Sequence, residues 1–219
     1  MEKLRQIAEK YGTPVLVMDL NVIANNYRQL IENINNCKVY YAVKSNSHIE
    51  IVKFLKDMGS HFDVASRGEI EKLLSIGVEP SRMSFGNTIK KIEDIKFAYE
   101  VGIRMFAVDA EMEIEKIALV APNADIYVRI STNGMEGDAD WPLTRKFGTS
   151  VNHAIELVRY AKEKGLNPIG LSFHVGSQNY NPENWRTAIR EASIVFEEAK
   201  QFGVEMKMIN TGGGMPVRY

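Results

Sequence analysis

One cysteine, Cys37, stands in the whole 219-residue chain. A lone thiol closes no internal disulfide, so covalent staples are excluded and the chain suits a reducing cytoplasm. Long apolar runs are missing too; none approaches the roughly 18 residues that cross a bilayer. The opening MEKLRQIAEKYG is charged and has no apolar stretch of the secretory-signal kind. No charge of one sign dominates: the formal net charge is -1, and no Lys/Arg cluster offers nucleic acid a binding field. The four histidines, His48, His61, His153 and His174, are not paired at helical ligand spacing and lack clustered Cys or acidic partners, which argues against a metal site. No GxGxxG follows the first apolar run, which weakens a dinucleotide-binding reading.

What the chain does contain is a folded-domain composition, 45% hydrophobic and 25% charged. Its length falls within the roughly 200–250 residues of a single α/β barrel. Short runs rich in Val, Ile, Phe and Tyr read as strands at 13–19, 38–44, 61–66, 83–86, 104–109, 125–130, 169–176 and 206–214. Between them, apolar residues at three- and four-residue steps predict helices over 20–34, 49–59, 67–77, 91–102, 152–165 and 185–203. Gly59, Gly77, Gly102, Gly165 and Gly203 stand where such helices end. Alternating strands and helices imply parallel strands with right-handed crossovers. The continuous apolar runs suggest strands covered on both faces, and about eight strand–helix steps favour a barrel over an open sheet. Residues 131–150, STNGMEGDADWPLTRKFGTS, interrupt the rhythm as one long loop, a feature that is usually functional or disordered.

Barrel enzymes place their chemistry at the carboxyl ends of the strands. The polar residues closing the runs are Lys44, Asp63 with Ser66, Asn87 with Thr88, Asp109, Arg129, His174 with Ser177, and Gly212, Gly213 and Gly214. Polar strand ends are ordinary, and that alone accounts for Ser and Asn. Lys44 follows Tyr41-Ala42-Val43; it is either a partly desolvated nucleophilic amine or a lysine that snorkels to solvent. The glycine triplet in TGGGMP is either a simple turn or a place where backbone N–H groups meet a phosphate. A reactive lysine and a phosphate cradle on one face suggest pyridoxal phosphate. His174 reads as a core histidine or a site residue, Arg129 as a structural ion pair or a site residue. Asp63 needs a cationic or hydrogen-bonding partner if buried, and Lys44 on the adjacent strand is a natural candidate. Cys37, before the first barrel strand, reads as structural and remote from the site.

In this order, YAVKSN, FDVAS, MSFGNTIKK, FHVGSQ and TGGGMP resemble the alanine-racemase-fold, pyridoxal phosphate-dependent decarboxylases of ornithine, lysine and diaminopimelate. The likeness runs from about Tyr11 onward. It implies a TIM-type (β/α)8 barrel truncated after its seventh strand, with Lys44 as the Schiff-base lysine and Asp63 as its partner. His174 is then expected to stack on the cofactor ring and Arg129 to line its hydroxyl side. Ser177, Gly212, Gly213 and Gly214 are expected to hold its phosphate. GTPVLVMDL is similar to the family's strand that joins a separate β-domain. Residues 1–36 are therefore expected to form an N-terminal strand and helix, and 37–219 an incomplete barrel. ADWPLTRKFG (139–148) resembles the bacterial ornithine or ornithine/lysine branch.

The resemblance implies decarboxylation of ornithine to putrescine, or of lysine to cadaverine, by a cytoplasmic homodimer. The family's eighth strand and C-terminal β-domain have no counterpart here, so the chain is expected to be a part of that enzyme, inactive alone, with open edges at its first and seventh strands. The alternatives are diaminopimelate decarboxylation, a non-catalytic pyridoxal phosphate-binding barrel, and a Schiff-base aldolase without the cofactor.

Overall fold

The computed structural model describes residues 2–132, 138–141 and 146–217. It opens with α1 (Glu2–Tyr11) and α2 (Leu20–Asn33). Then follow β1 (Tyr40–Ala42), α3 (Ile49–Asp57), β2 (His61–Val64), α4 (Arg67–Ser75), β3 (Met83–Phe85), α5 (Ile92–Glu100), β4 (Met105–Val108), α6 (Glu111–Val120) and β5 (Asp125–Arg129). The chain continues through β6 (Ala139–Trp141), α7 (Val151–Glu163), β7 (Asn167–Ser172), β8 (Ser177–Asn179), α8 (Glu183–Gln201) and β9 (Met208–Asn210). Seven strands make one parallel sheet in the order β1-β2-β3-β4-β5-β7-β9, curled into a half-barrel. β6 and β8 form a separate antiparallel pair.

The strands alternate. In β2, Phe62 and Val64 are fully buried while His61 and Asp63 are half-buried. Phe62, Val64, Met83, Phe85, Phe106, Val108, Ile126, Val128 and Leu171 belong to one apolar core together with the inner faces of the helices. α7 contributes Ala154, Leu157, Val158 and Ala161, and α8 contributes Ala188, Ala192, Val195 and Ala199. These three- and four-residue steps keep each helix's apolar stripe on the sheet. Each fully buried large aliphatic side chain contributes about 1.5–3 kcal/mol. The intervening residues, Asp63, Ser84, Tyr127, Arg129 and Ser172, face the concave side. The hydroxyls of Ser84 and Tyr127 meet at 2.9 Å across the intervening strand β4, which the curl of the sheet permits. Consecutive residues of β3, β4 and β5 are buried, so these strands are covered on both faces as expected, but the concave face carries polar groups as well as apolar ones. β5 reads Asp-Ile-Tyr-Val-Arg, and a two-residue period sends its aliphatics to the helices and its polar groups inward.

The predicted helices form within two residues of their expected bounds, and all five glycines expected to end them take left-handed φ. At Gly102 φ is 111°, a value that a residue with a Cβ rarely adopts. Ser66 and Ser150 cap α4 and α7, accepting N–H bonds from Glu69 and His153. Three expectations fail. Residues 13–19 form no strand, because no neighbouring backbone pairs with them among the described residues, and Leu16 is 85% exposed. Residues 1–36 thus hold two helices, not a strand and a helix. The run 131–150 is not wholly irregular either: Ala139–Trp141 pairs with the segment that follows β7. As expected, β1 and β9 are the open edges of the sheet.

Candidate active site

Parallel strands bring all their carboxyl ends to one mouth. Lys44 lies beyond β1, in a 3-10 turn over Val43–Ser45. Ser45 closes the turn by donating to the Ala42 carbonyl (2.8 Å), and Tyr41 donates to the Asn46 carbonyl (3.0 Å). The lysine is solvent-exposed. It is not packed into an apolar wall as one sequence reading had it; the turn lifts it past the last strand residue onto the rim.

Asp63 stands in register between Ala42 of β1 and Ser84 of β3. Burial pushes its carboxyl up to about 6; the positive charges of Lys44 and Arg129 oppose that rise, and Glu69 adds to it. Lys44 is thus its electrostatic partner through space, with no ion pair within 4.0 Å joining the two among the described residues. Gly86, just past β3, is required by this arrangement: a Cβ there would overlap Asp63 Oδ1.

Arg129 is the last residue of β5. Its guanidinium lies 5.3 Å from the Phe147 ring centroid. Asp109, beyond β4, accepts from the Gly148 N–H (2.9 Å) and so fixes the turn that carries Phe147.

His174 lies two residues beyond β7, half-buried. Its Nδ1 accepts from the Gly176 N–H (3.0 Å), so the neutral ring carries its proton on Nε2. Thr132 donates to its carbonyl (2.8 Å). The glycine triplet packs directly on this segment. A Cβ at Gly212 would overlap the Phe173 carbonyl, and one at Gly214 would overlap the Gly176 carbonyl. Their φ values, 67° and 89°, also demand glycine. Gly214 is the member nearest the imidazole: its hypothetical Cβ lies 3.4 Å from Cε1, while that of Gly213 lies 3.8 Å from Nε2.

This packing corrects the simple phosphate-cradle argument. Two of the three glycines are needed for the contact between loops, and the Gly212 N–H is already engaged by Asn210 Oδ1 (2.9 Å). The N–H groups of Gly213 and Gly214 remain as donors for an anion. Ser177, at the start of β8, is half-buried on the same loop.

Sequence reading missed several supports. Gln178 bonds both ways to the backbone of Val217 (2.7 and 2.9 Å), and the Asn179 N–H donates to the Gly214 carbonyl (2.8 Å), so β8 ties down the glycine segment. Lys90 is buried and pairs with Glu113 at 3.2 Å while donating to the carbonyls of Asn87 and Ala107. It pins the Asn87–Thr88 loop. Burial lowers its pKa to about 8, against the pull of Glu113. Neither Gln178 nor Lys90 carries a periodicity or spacing that marks it. Of the motif 139–148, residues 142–145 lie outside the described residues. Ser66, a polar strand-end candidate, serves as the N-cap of α4.

The family model described as pyridoxal-dependent decarboxylase, pyridoxal binding domain, matches residues 20–219. The chain is 36% identical over 216 residues to a lysine/ornithine decarboxylase of Selenomonas ruminantium, covering 99% of this chain and 54% of that protein. Among solved structures, it matches the lysine decarboxylase of Selenomonas ruminantium with a TM-score of 0.91 at 36% identity, over 99% of this chain and 56% of that one. It matches the arginine decarboxylase of Paramecium bursaria Chlorella virus, bound to agmatine, with a TM-score of 0.90 at 32% identity, over 98% of this chain and 58% of that one. The chain spans about half the length of the curated relatives it matches.

Proposed function

The chain belongs to the pyridoxal-dependent decarboxylase family, and on that premise we propose that it holds the cofactor in an enzyme that decarboxylates L-ornithine, with L-lysine as a second substrate. The observation that carries the reading is the convergence of Lys44, Asp63, Arg129, His174 and the glycine loop on one mouth of the half-barrel. The donor set fits pyridoxal phosphate: a primary amine on the rim, a carboxyl and a guanidinium on the wall, an imidazole beside the loop and two backbone N–H donors. When bound, the cofactor supplies an electrophilic carbon and an electron sink for the charge left by departing carbon dioxide.

Lys44 offers the amine that holds the cofactor. Asp63 supplies the countercharge to it, and Arg129 sets the charge of the wall beside the cofactor's hydroxyl. His174, anchored through Nδ1 and its carbonyl, offers a ring face of fixed orientation. Gly213 and Gly214, with the Ser177 hydroxyl and the Gly212 turn, hold the phosphate. The preference for ornithine draws on the motif 139–148 and on the likeness to a lysine/ornithine decarboxylase. The reading includes a cytoplasmic homodimer; among the described residues no helix is long and apolar enough to cross a membrane.

Lys44→Ala is expected to abolish covalent cofactor attachment, read as the borohydride-fixed mass of the intact chain. Retention of fixed pyridoxal phosphate by that variant would remove Lys44 from its role. Carbon dioxide release by the complete protein from ornithine, lysine and diaminopimelate tests the substrate. Cofactor binding with no release from any of the three would favour a non-catalytic barrel.

A further inference from the structure

We propose that Phe147 and Asp109 are positioning residues for Arg129: the ring holds the guanidinium in place, and the carboxylate latches the turn that carries the ring. The inference rests on the cofactor reading, in which Arg129 lines the cofactor's hydroxyl side. The Arg129 guanidinium carbon lies 5.3 Å from the Phe147 ring centroid, within the roughly 6 Å at which an aromatic face attracts a cation. Both residues are half-buried, so water weakens the pair less than it would at the surface. The backbone ties the ring back to the strand that bears the arginine. The Thr149 N–H donates to the Arg129 carbonyl (3.0 Å), the Ser131 N–H donates to the Thr149 carbonyl (2.8 Å), and Ile130 and Thr149 form a parallel bridge. From the end of the neighbouring strand β4, Asp109 Oδ2 accepts from the Gly148 N–H at 2.9 Å.

These contacts leave the turn little freedom. Gly148 has φ 96°, and a Cβ there would meet the Ile130 carbonyl carbon and oxygen at 2.8 Å, so the segment packs on the end of β5 as closely as a backbone can. Phe147, one residue earlier, is thereby held beside the last residue of that strand. Lys146 lies 5.5 Å from the same ring, but it is exposed, where water and salt weaken its attraction. Asp109 also acts by its charge on Lys90, from the loop after β3. The two effects of Asp109 can be told apart, because asparagine keeps the acceptor and loses the charge. A guanidinium held at the mouth favours the ionised form of a group that faces it, and one that swings out into water does so less.

The test reads the guanidinium N–H groups by 15N NMR in the full chain labelled at arginine, with Arg129→Lys to assign the signal. Phe147→Leu and Asp109→Ala are each expected to speed exchange of the Arg129 Nε–H with water about fivefold. Phe147→Tyr, which keeps the aromatic face, and Asp109→Asn, which keeps the acceptor, are expected to exchange like the parent. Arg82, bonded to the carbonyls of Ser60 and Lys56 at the amino end of the sheet, is the internal reference and is expected to stay unchanged. After loading with pyridoxal phosphate, the pH midpoint of the cofactor's visible absorbance is expected to rise in Phe147→Leu and Asp109→Ala alone. Arg129 exchange unchanged in both of those variants overturns the proposal, and so does Asp109→Asn behaving like Asp109→Ala. Exchange that rises as much at Arg82 as at Arg129 overturns it too, because that is what a merely structural role would give. The exchange measurement needs no cofactor, so a parent chain that binds no pyridoxal phosphate would defeat the cofactor reading and leave the hold on Arg129 to be judged by exchange alone.

Discussion

Asp63 is the residue on which burial and charge disagree most openly. Unfolded it titrates near 3.8; in the fold, burial holds it at about 6 against Lys44 and Arg129. Between those values the folded chain keeps a proton that the unfolded chain has released. Stability therefore falls as pH rises from about 4 to about 6, and the slope vanishes above that. Asparagine cannot ionise. Asp63→Asn is thus expected to melt higher than the parent at neutral pH in the cofactor-free chain, with the advantage shrinking to nothing near pH 4 (about the unfolded value). Thermal unfolding from about pH 4 to pH 8 checks this; parallel curves for the two proteins would refute it. The same variant is expected to weaken covalent capture of pyridoxal phosphate, so stability and cofactor holding pull in opposite directions at one carboxyl.

At the scale of elements, the glycine segment is held by its neighbours rather than by its own hydrogen bonds. Gln178 at φ 54° and Asn179 grip Val217 and Gly214 respectively. Gln178→Ala removes two backbone bonds and is expected to speed amide exchange at residues 212–217 by about tenfold while leaving α7 and β7 unchanged. Exchange that rises across the whole chain would show general destabilisation in place of local loosening. Elements also mark how far the sequence could be read. Helices were legible because their apolar steps and terminal glycines report local geometry, as at 49–59 and 152–165. The places of Asp63, Arg129 and His174 in or just beyond the strands were legible, because each is a polar residue in or closing an apolar run. The segment 13–19 was not, since Val15, Leu16 and Val17 have strand composition but pairing depends on a distant backbone. The Ser84–Tyr127 contact, at 43 residues' separation, has no local signature either. Nor did composition show that Lys44 sits on a turn, because one residue's shift in the strand end decides it.

On the whole molecule, two features leave backbone and apolar surface uncovered: the edges β1 and β9, and the stripe from Val15 to Met18, exposed at 39–85%. Open edges and apolar patches promote association. The chain is expected to self-associate with rising concentration, and Leu16→Lys with Val17→Lys to reduce that association without loss of helicity. Light scattering across a dilution series decides it, and equal association by parent and variant would clear the stripe of that role.

The alternation along the strands has one more consequence. Fold and chemistry are spelled in interleaved letters of the same ribbon, every second residue of a strand for one and the residues between for the other. Exchanging Tyr127, Ser84 or Arg129 for another side chain edits the inner text and leaves the helix-binding text intact. The concave face can therefore change in polarity while its outer layer stays constant. Deleting a single residue within β5 would swap the two alphabets, turning Ile126 into the cavity and Tyr127 against the helices, and lose both at once.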